Sequence, residues 1–166
     1  FRSNPLALPD TLTNRAFLRD WLGVLLAAEG PEELQTISAA VDAAYANDPS
    51  LRRLRHFKEL VSGSRRPQPG DMADRLSAWI DDGEHAWLFD NAADKLDINT
   101  RVMGFDMTAL LENPRLRTPT MMYLFHRIDE RLDGNPTMIL IDEGWKALDD
   151  EVFAARIRDR KSTRLN

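Results

Sequence analysis

Apolar residues recur at three- and four-residue spacing through the first half of the chain, the pattern of helices that bury one face. Over residues 13–29, Phe17, Leu18, Trp21, Leu22, Leu25 and Leu26 form one stripe, with Thr13 placed to cap the start and Gly30-Pro31 to stop the end. A second helix opens with Pro31-Glu32-Glu33, a proline suited to the first turn and acids suited to the positive helix end. It continues through Leu34, Ile37, Val41 and Tyr45 to Asn47-Asp48-Pro49. A third uses Leu51, Leu54, Phe57 and Val61 and stops near Gly63. A fourth follows Gly70-Asp71 with Met72, Leu76, Trp79 and Ile80 and closes at Asp81-Asp82-Gly83. Short helices joined by short connections predict a compact helical subdomain.

The period then changes. Residues 83–99 read as a turn and an extended segment, with Trp87 and Phe89 packed inward. Residues 101–108, RVMGFDMT, read as a short β-type run. Residues 114–132 read as a helix carrying Leu116, Leu124, Phe125, Ile128 and Leu132, and TMILID at 137–142 reads as a strand buried on both faces. Strand, helix, strand predicts a parallel βαβ unit with a right-handed crossover, so both strands end on the same edge of the sheet. Ligands bind along that edge in open α/β sheets. Asp106 and the pair Asp142-Glu143 fall there.

Composition narrows the chemistry. The 166 residues are 43% hydrophobic and 30% charged, a globular balance, and the formal charge of −5 argues against indiscriminate nucleic-acid binding. With no cysteine, disulfides, thiolate metal sites and cysteine nucleophiles are excluded. His56, His85 and His126 lack metal-ligand spacing. Apolar stretches such as 24–28 and 138–141 fall far short of the ~18 residues a membrane span needs, and residues 1–5 do not read as a signal peptide.

The most informative constellation is MILIDE at 138–143. A buried strand that ends in two acids delivers carboxylates to the mouth of a sheet, where one can hold Mg²⁺ and the next can orient or deprotonate an attacking water. This is the Walker B pattern. Apolar strands also end in acids merely because acids favour the next helix start, and the spacing alone leaves both readings open. The companion loop G-x-x-x-x-G-K-[ST] is absent, and no Gly-Lys dipeptide occurs. Either the Walker B reading is wrong or the chain is a piece of a longer protein.

Other features carry competing readings. Arg52, Arg53, Arg55, Lys58, Arg65 and Arg66 form a basic cluster that reads as a solvated helix face, with docking of nucleic acid, lipid head groups or a partner subunit as the rival. Trp21, Trp79 and Trp87 read as packing residues, and Trp145 as an anchor for the loop that positions Glu143. Asp106 reads equally as a nucleotide-edge acid or a turn cap, Asp90-Asn91 as an Asx-type turn, and His126 as a partly exposed structural residue.

NPLALPDTLTNRAFLRDWL, GEHAWLFDN, RVMGFDMTALLENPRLRTPTMMYLFHRIDERLDG and MILIDEGWKALDDEVFAARIRD occur in that order from residue 4 to residue 159. In this they resemble the carboxyl-terminal ATPase domain of the CagE/TrbE/VirB family, the large cytoplasmic ATPases of type IV secretion and conjugation; IDEGWKAL is the most diagnostic run. The resemblance implies an α/β fold: a partial RecA-like P-loop core with a largely helical insertion. Residues 10–82 would be the insertion, 83–159 the core with Walker B, and 160–166 an atypical tail that departs from the family pattern.

It further implies that the phosphate loop lies upstream of Phe1, and a sensor strand and an arginine downstream of Asn166. Asp142 would be the acid associated with Mg²⁺, through water, and Glu143 the catalytic glutamate. ATP and Mg²⁺ would be the cofactors of the parent protein. That parent would be a homo-oligomer at the cytoplasmic face of the bacterial inner membrane, meeting other secretion components, with direct nucleic-acid binding left open. The chain alone is expected to be inactive and, with strand edges unpaired, to self-associate. The alternative is a non-enzymatic helical module that binds a partner or nucleic acid through the basic cluster.

Overall fold

The computed structural model describes residues 2–63, 68–98, 100–132, 137–140 and 142, and the chain divides into two compact units, Phe1–Asp97 and Ile98–Asn166. Residues 83–97 thus lie in the first unit. That unit contains α1 (Leu12–Leu25), α2 (Gly30–Ala46), α3 (Leu54–Ser62), α4 (Met72–Ser77) and the single-turn α5 (Ala86–Phe89), with short 3-10 turns at Pro5–Ala7 and Pro49–Leu51.

Local chemistry sets the helix ends. Thr11, rather than Thr13, caps α1: its hydroxyl accepts the Asn14 N–H at 3.1 Å, while the Asn14 carboxamide donates to Pro9 O at 3.0 Å. Gly30-Pro31 does not stop α1 but opens α2, because the fixed φ of proline suits a first turn. Helix α1 instead ends in a Schellman arrangement, with Ala28 N–H on Gly23 O at 2.8 Å, Ala27 N–H on Val24 O at 3.1 Å, and Ala27 at φ 45°. Glu32 and Glu33 occupy the first turn of α2 as expected, and Glu33 accepts the Glu29 N–H at 2.7 Å. Helix α3 ends at Gly63 (φ 55°), and Asp71 caps α4 by accepting the Asp74 N–H at 2.8 Å.

The stripes meet in one aromatic core. Trp21, Trp79, Phe57 and Phe89 are buried together with Leu18, Leu22, Leu54 and Leu76. Phe89 meets the edge of Trp21 at 5.0 Å and 87°, and lies 6.0 Å from Trp79, which also contacts the His85 ring at 5.0 Å. Residues 86–89 are a helical turn, not an extended segment, and this separates Trp87 from Phe89. Successive side chains in a helix diverge by about 100°, so Phe89 is buried while Trp87 remains 47% exposed.

In the second unit, α6 (Thr108–Leu111) precedes α7 (Pro114–Arg131), whose start Asn113 caps by accepting the Arg115 N–H at 3.0 Å. Met121 and Phe125 of α7 pack with Met107 and Leu111. Residues 119–126 are all buried, His126 among them, so that histidine is not partly exposed.

The α/β expectation is overturned. No strand is formed among the described residues: 101–107 are irregular, and 137–140 form no regular element. A parallel βαβ unit and a RecA-like P-loop core are therefore absent from the described structure, which is helical. The physical reason lies in what an apolar run specifies. It marks a segment that disfavours water, but a strand exists only when a neighbour completes its backbone ladder. Among the described residues, no helix is long and apolar enough to cross a membrane.

Candidate functional site

The acids singled out by sequence are described only in part. Asp142 lies in a turn and is exposed, and the residues before it are not a buried ribbon, since Met138 is 83% and Leu140 85% exposed. Glu143 and Trp145 lie outside the described residues. Asp106 does the work of a cap: its carboxylate accepts the Thr108 N–H at 3.0 Å and the Thr108 hydroxyl at 2.8 Å where α6 begins. The bond from the Thr108 backbone holds the Asp106 carboxyl below its usual range.

Among the described residues no group of three or more histidine, cysteine or acidic side chains is placed to hold a metal. A Mg²⁺-nucleotide needs oxygen ligands around the ion and backbone N–H groups with a lysine around the phosphates. One exposed carboxylate at Asp142, in a chain without a Gly-Lys dipeptide, does not fit that requirement by itself.

The polar constellation that the structure does bring together is centred on Asp90, whose side chain is only 1% exposed. Arg55 reaches it from α3 with three donors: the backbone N–H to Oδ1 at 3.2 Å, Nε to Oδ2 at 2.9 Å and Nη2 to Oδ2 at 2.7 Å. Arg53 donates through Nη2 to the Asp90 carbonyl at 2.8 Å, and its Nε stands 3.7 Å from Oδ1. The Asp81 N–H adds a longer bond to Oδ2 at 3.4 Å, and the Asp81 carboxylate stands 3.7 Å from Arg55 Nη1. Hydrogen bonding to Asp90 raises the affinity of the Arg55 guanidinium for its proton.

The neighbouring basic residues are also engaged within the protein. Arg52 lies over the Tyr45 ring at 4.7 Å and donates to Tyr45 O at 3.3 Å, while Lys58 donates to the Ser77 hydroxyl at 3.2 Å. Arg53 and Arg55 are thus held by Asp90 rather than forming a bare cationic face; Arg65 and Arg66 lie outside the described residues. Asn91, beside Asp90, spends one carboxamide nitrogen on the carbonyls of Ser3, Trp87 and Leu88, at 3.0, 3.1 and 3.2 Å. Sequence reasoning took Asp90-Asn91 for a turn. The signal in the sequence for a buried acid is its place directly after Trp-Leu-Phe, in a chain with a cluster of arginines.

No family model matches the chain. Its sequence is 40% identical over 157 residues to the type IV secretion system protein VirB4 of Bartonella henselae, covering 92% of this chain and 20% of that protein. It is 36% identical over 171 residues to the type IV secretion system protein PtlC of Bordetella pertussis, covering 96% and 21% respectively. VirB4 of Brucella suis is 34% identical over 173 residues, with the same two coverages of 96% and 21%. The chain spans about a fifth of the length of these curated relatives. Over the stretch it shares with them, the chain matches a fragment of the VirB4 family of type IV secretion system proteins.

Proposed function

We propose that this chain serves type IV secretion as part of an ATPase that hydrolyses ATP with Mg²⁺ to energise secretion, conjugative transfer or pilus assembly. The observation that carries the reading is the 40% identity to a VirB4 protein over 92% of the chain. The run IDEGWKAL at 141–148 supports it from the residues. In the whole protein Asp142 is the acid associated with Mg²⁺ through water, and Glu143 is the catalytic glutamate. The whole protein works as an oligomer at the cytoplasmic face of the inner membrane beside other secretion components. Because the described residues do not by themselves fit a nucleotide, the isolated chain is expected to release no phosphate from Mg²⁺-ATP.

A segment exchange tests this. Residues 4–159 replace the matching segment of Bartonella henselae VirB4, and phosphate release is measured on the purified hybrid. The hybrid is expected to hydrolyse ATP, and Glu143→Gln to lower the rate by about 100-fold or more, as the loss of a positioned general base does. Undiminished hydrolysis by the Glu143→Gln hybrid overturns the assignment. For the rival reading, a binding module that uses the basic cluster, Arg53 and Arg55 share the one carboxylate of Asp90, and Arg55 also stands 3.7 Å from Asp81, so the pair is engaged within the protein rather than a bare cationic face.

A further inference from the structure

Residues 2–4 are clamped to two segments that lie far along the chain. The Ser3 N–H donates to Leu88 O at 2.9 Å and the Lys95 N–H to Arg2 O at 3.1 Å, so main-chain bonds fasten this short stretch to residues 88–95. Side chains add two more bonds. Asn91 Nδ2 donates to Ser3 O at 3.0 Å across 88 positions, and Asn4 Nδ2 donates to Arg52 O at 2.9 Å across 48. Arg53 closes the third side by donating through Nη2 to Asp90 O at 2.8 Å. Ser3-Asn4, Arg52-Arg53 and Asp90-Asn91 are neighbours in sequence, so the three segments share one continuous circuit of bonds.

That circuit includes the buried charge. The Asp90 side chain is 1% exposed and is met by Arg55 and Arg53, while Ser3 and Asn4 are themselves buried. A segment that left alone would strand bonding groups of the other two in a buried setting, which costs more than an ordinary hydrogen bond contributes, and most of all for a charge. Partial release is therefore disfavoured against both the closed arrangement and complete release. This is the energetic condition for a cooperative local opening.

We propose that residues 2–4, 52–55 and 88–95 form a conformational latch that opens and closes as one unit, at lower free energy than the unfolding of the helices around it. Its strap is residues 2–4, which belong to no helix and are held by the four bonds to residues 52 and 88–95. Its lock is the pairing of Arg53 and Arg55 with Asp90.

Amide hydrogen exchange followed by NMR on the full chain, over a series of low denaturant concentrations, tests this. The reporters are one N–H from each segment: Ser3, bonded to Leu88 O; Arg55, bonded to Asp90 Oδ1; and Lys95, bonded to Arg2 O. The buried Val41 within α2 is the reference. The three reporters are expected to share one opening free energy and one denaturant slope, both smaller than those of Val41. Asp90→Asn, which keeps the size of the side chain and removes its charge, is expected to speed exchange at Ser3 and Lys95 by about tenfold and at Val41 by less. In the other direction, Asn4→Ala removes the bond to Arg52 O and is expected to speed exchange at Arg55. Reporters with unequal slopes overturn the proposal, as do Ser3 and Lys95 rates unchanged in Asp90→Asn, an Arg55 rate unchanged in Asn4→Ala, or an equal acceleration at Val41. Should Asp90→Asn fail to fold, the unsubstituted series and Asn4→Ala decide the matter.

Discussion

Arg55 Nε and Nη2 both donate to one oxygen of Asp90, at 2.9 and 2.7 Å, while the Arg55 backbone N–H occupies the other at 3.2 Å. One arginine thus supplies side chain and main chain to a single carboxylate, tying α3 to the residue that follows α5. Charge-assisted bonds of this kind are the strong ones, and a carboxylate at 1% exposure has no water to replace them.

Removing one side of that pair is therefore costly. Arg55→Ala leaves Asp90 with Arg53 as its only cation among the described residues and is expected to lower stability by about 2–3 kcal/mol, below the ~3–5 kcal/mol of fully buried pairs because the Arg55 side chain is 37% exposed. Urea denaturation checks this as a lower midpoint at unchanged slope. The double variant Arg55→Ala/Asp90→Ala should be less unstable than the sum of the two single changes.

Ala27 occupies a left-handed position that favours glycine, and its carbonyl accepts Arg75 Nη1 at 2.7 Å. Arg75 also pairs with Glu33, so the strained residue lies where α1, α2 and α4 are stapled together. Ala27→Gly relieves the Cβ conflict without touching that staple. A gain of about 0.5–1 kcal/mol is expected after the added freedom of the unfolded chain is offset, read as a rise in melting temperature.

Gly83 is required for a different reason. A Cβ there would lie 2.6 Å from both the carbonyl carbon and the oxygen of Ala78, and would also strike the Ser77 carbonyl, all of them backbone. Gly83→Ala must move the turn that carries the His85 N–H to Ala78 O at 2.8 Å. A loss of about 2–3 kcal/mol is expected, with wider dispersion loss in the amide NMR spectrum around residues 76–90 than at α2.

Acid should weaken the fold through several surface carboxylates. Bonds from Arg15 hold Asp10 and Asp42 below their ordinary value of 3.8, and backbone N–H groups of Gln68 and Asp74 do the same for Asp71. A carboxyl that is more acidic folded than unfolded binds fewer protons in the native state. Its contribution is therefore present above the unfolded value and is lost as pH falls through the folded one. Urea stability should be nearly flat from pH 6 to 8 on account of these groups and decline below about pH 4. Asp71→Asn should make that decline shallower; an unchanged acid slope would remove Asp71 from the account.

Met138 and Leu140 present apolar side chains to solvent in adjacent alternate positions. Exposed apolar segments of this kind drive association between copies. Light scattering of the isolated chain should show mass rising with concentration, and Met138→Lys/Leu140→Lys should suppress that rise. An unsubstituted chain that stays monomeric at all concentrations contradicts this expectation.

Much of the helical first unit was legible in the residues. Periodicity located the stripes of α1 to α4, Pro31 and the acids after it marked the first turn of α2, Gly63 ended α3 and Gly70-Asp71 preceded α4, because turns, helix ends and amphipathic faces are properties of neighbours in sequence. The motif IDEGWKAL pointed to the family that the relatives bear out. Tertiary structure alone decided the rest. The runs at 101–108 and 137–142 read as strands, but pairing is supplied by distant backbone, and the described residues form none. The basic cluster reads from sequence as a solvated face, whereas Asp90, some thirty-five residues along the chain from Arg55, is buried against Arg55. A charge belongs to its own residue and can be counted from the chain; the partner that neutralises it is chosen only when folding brings remote segments into contact.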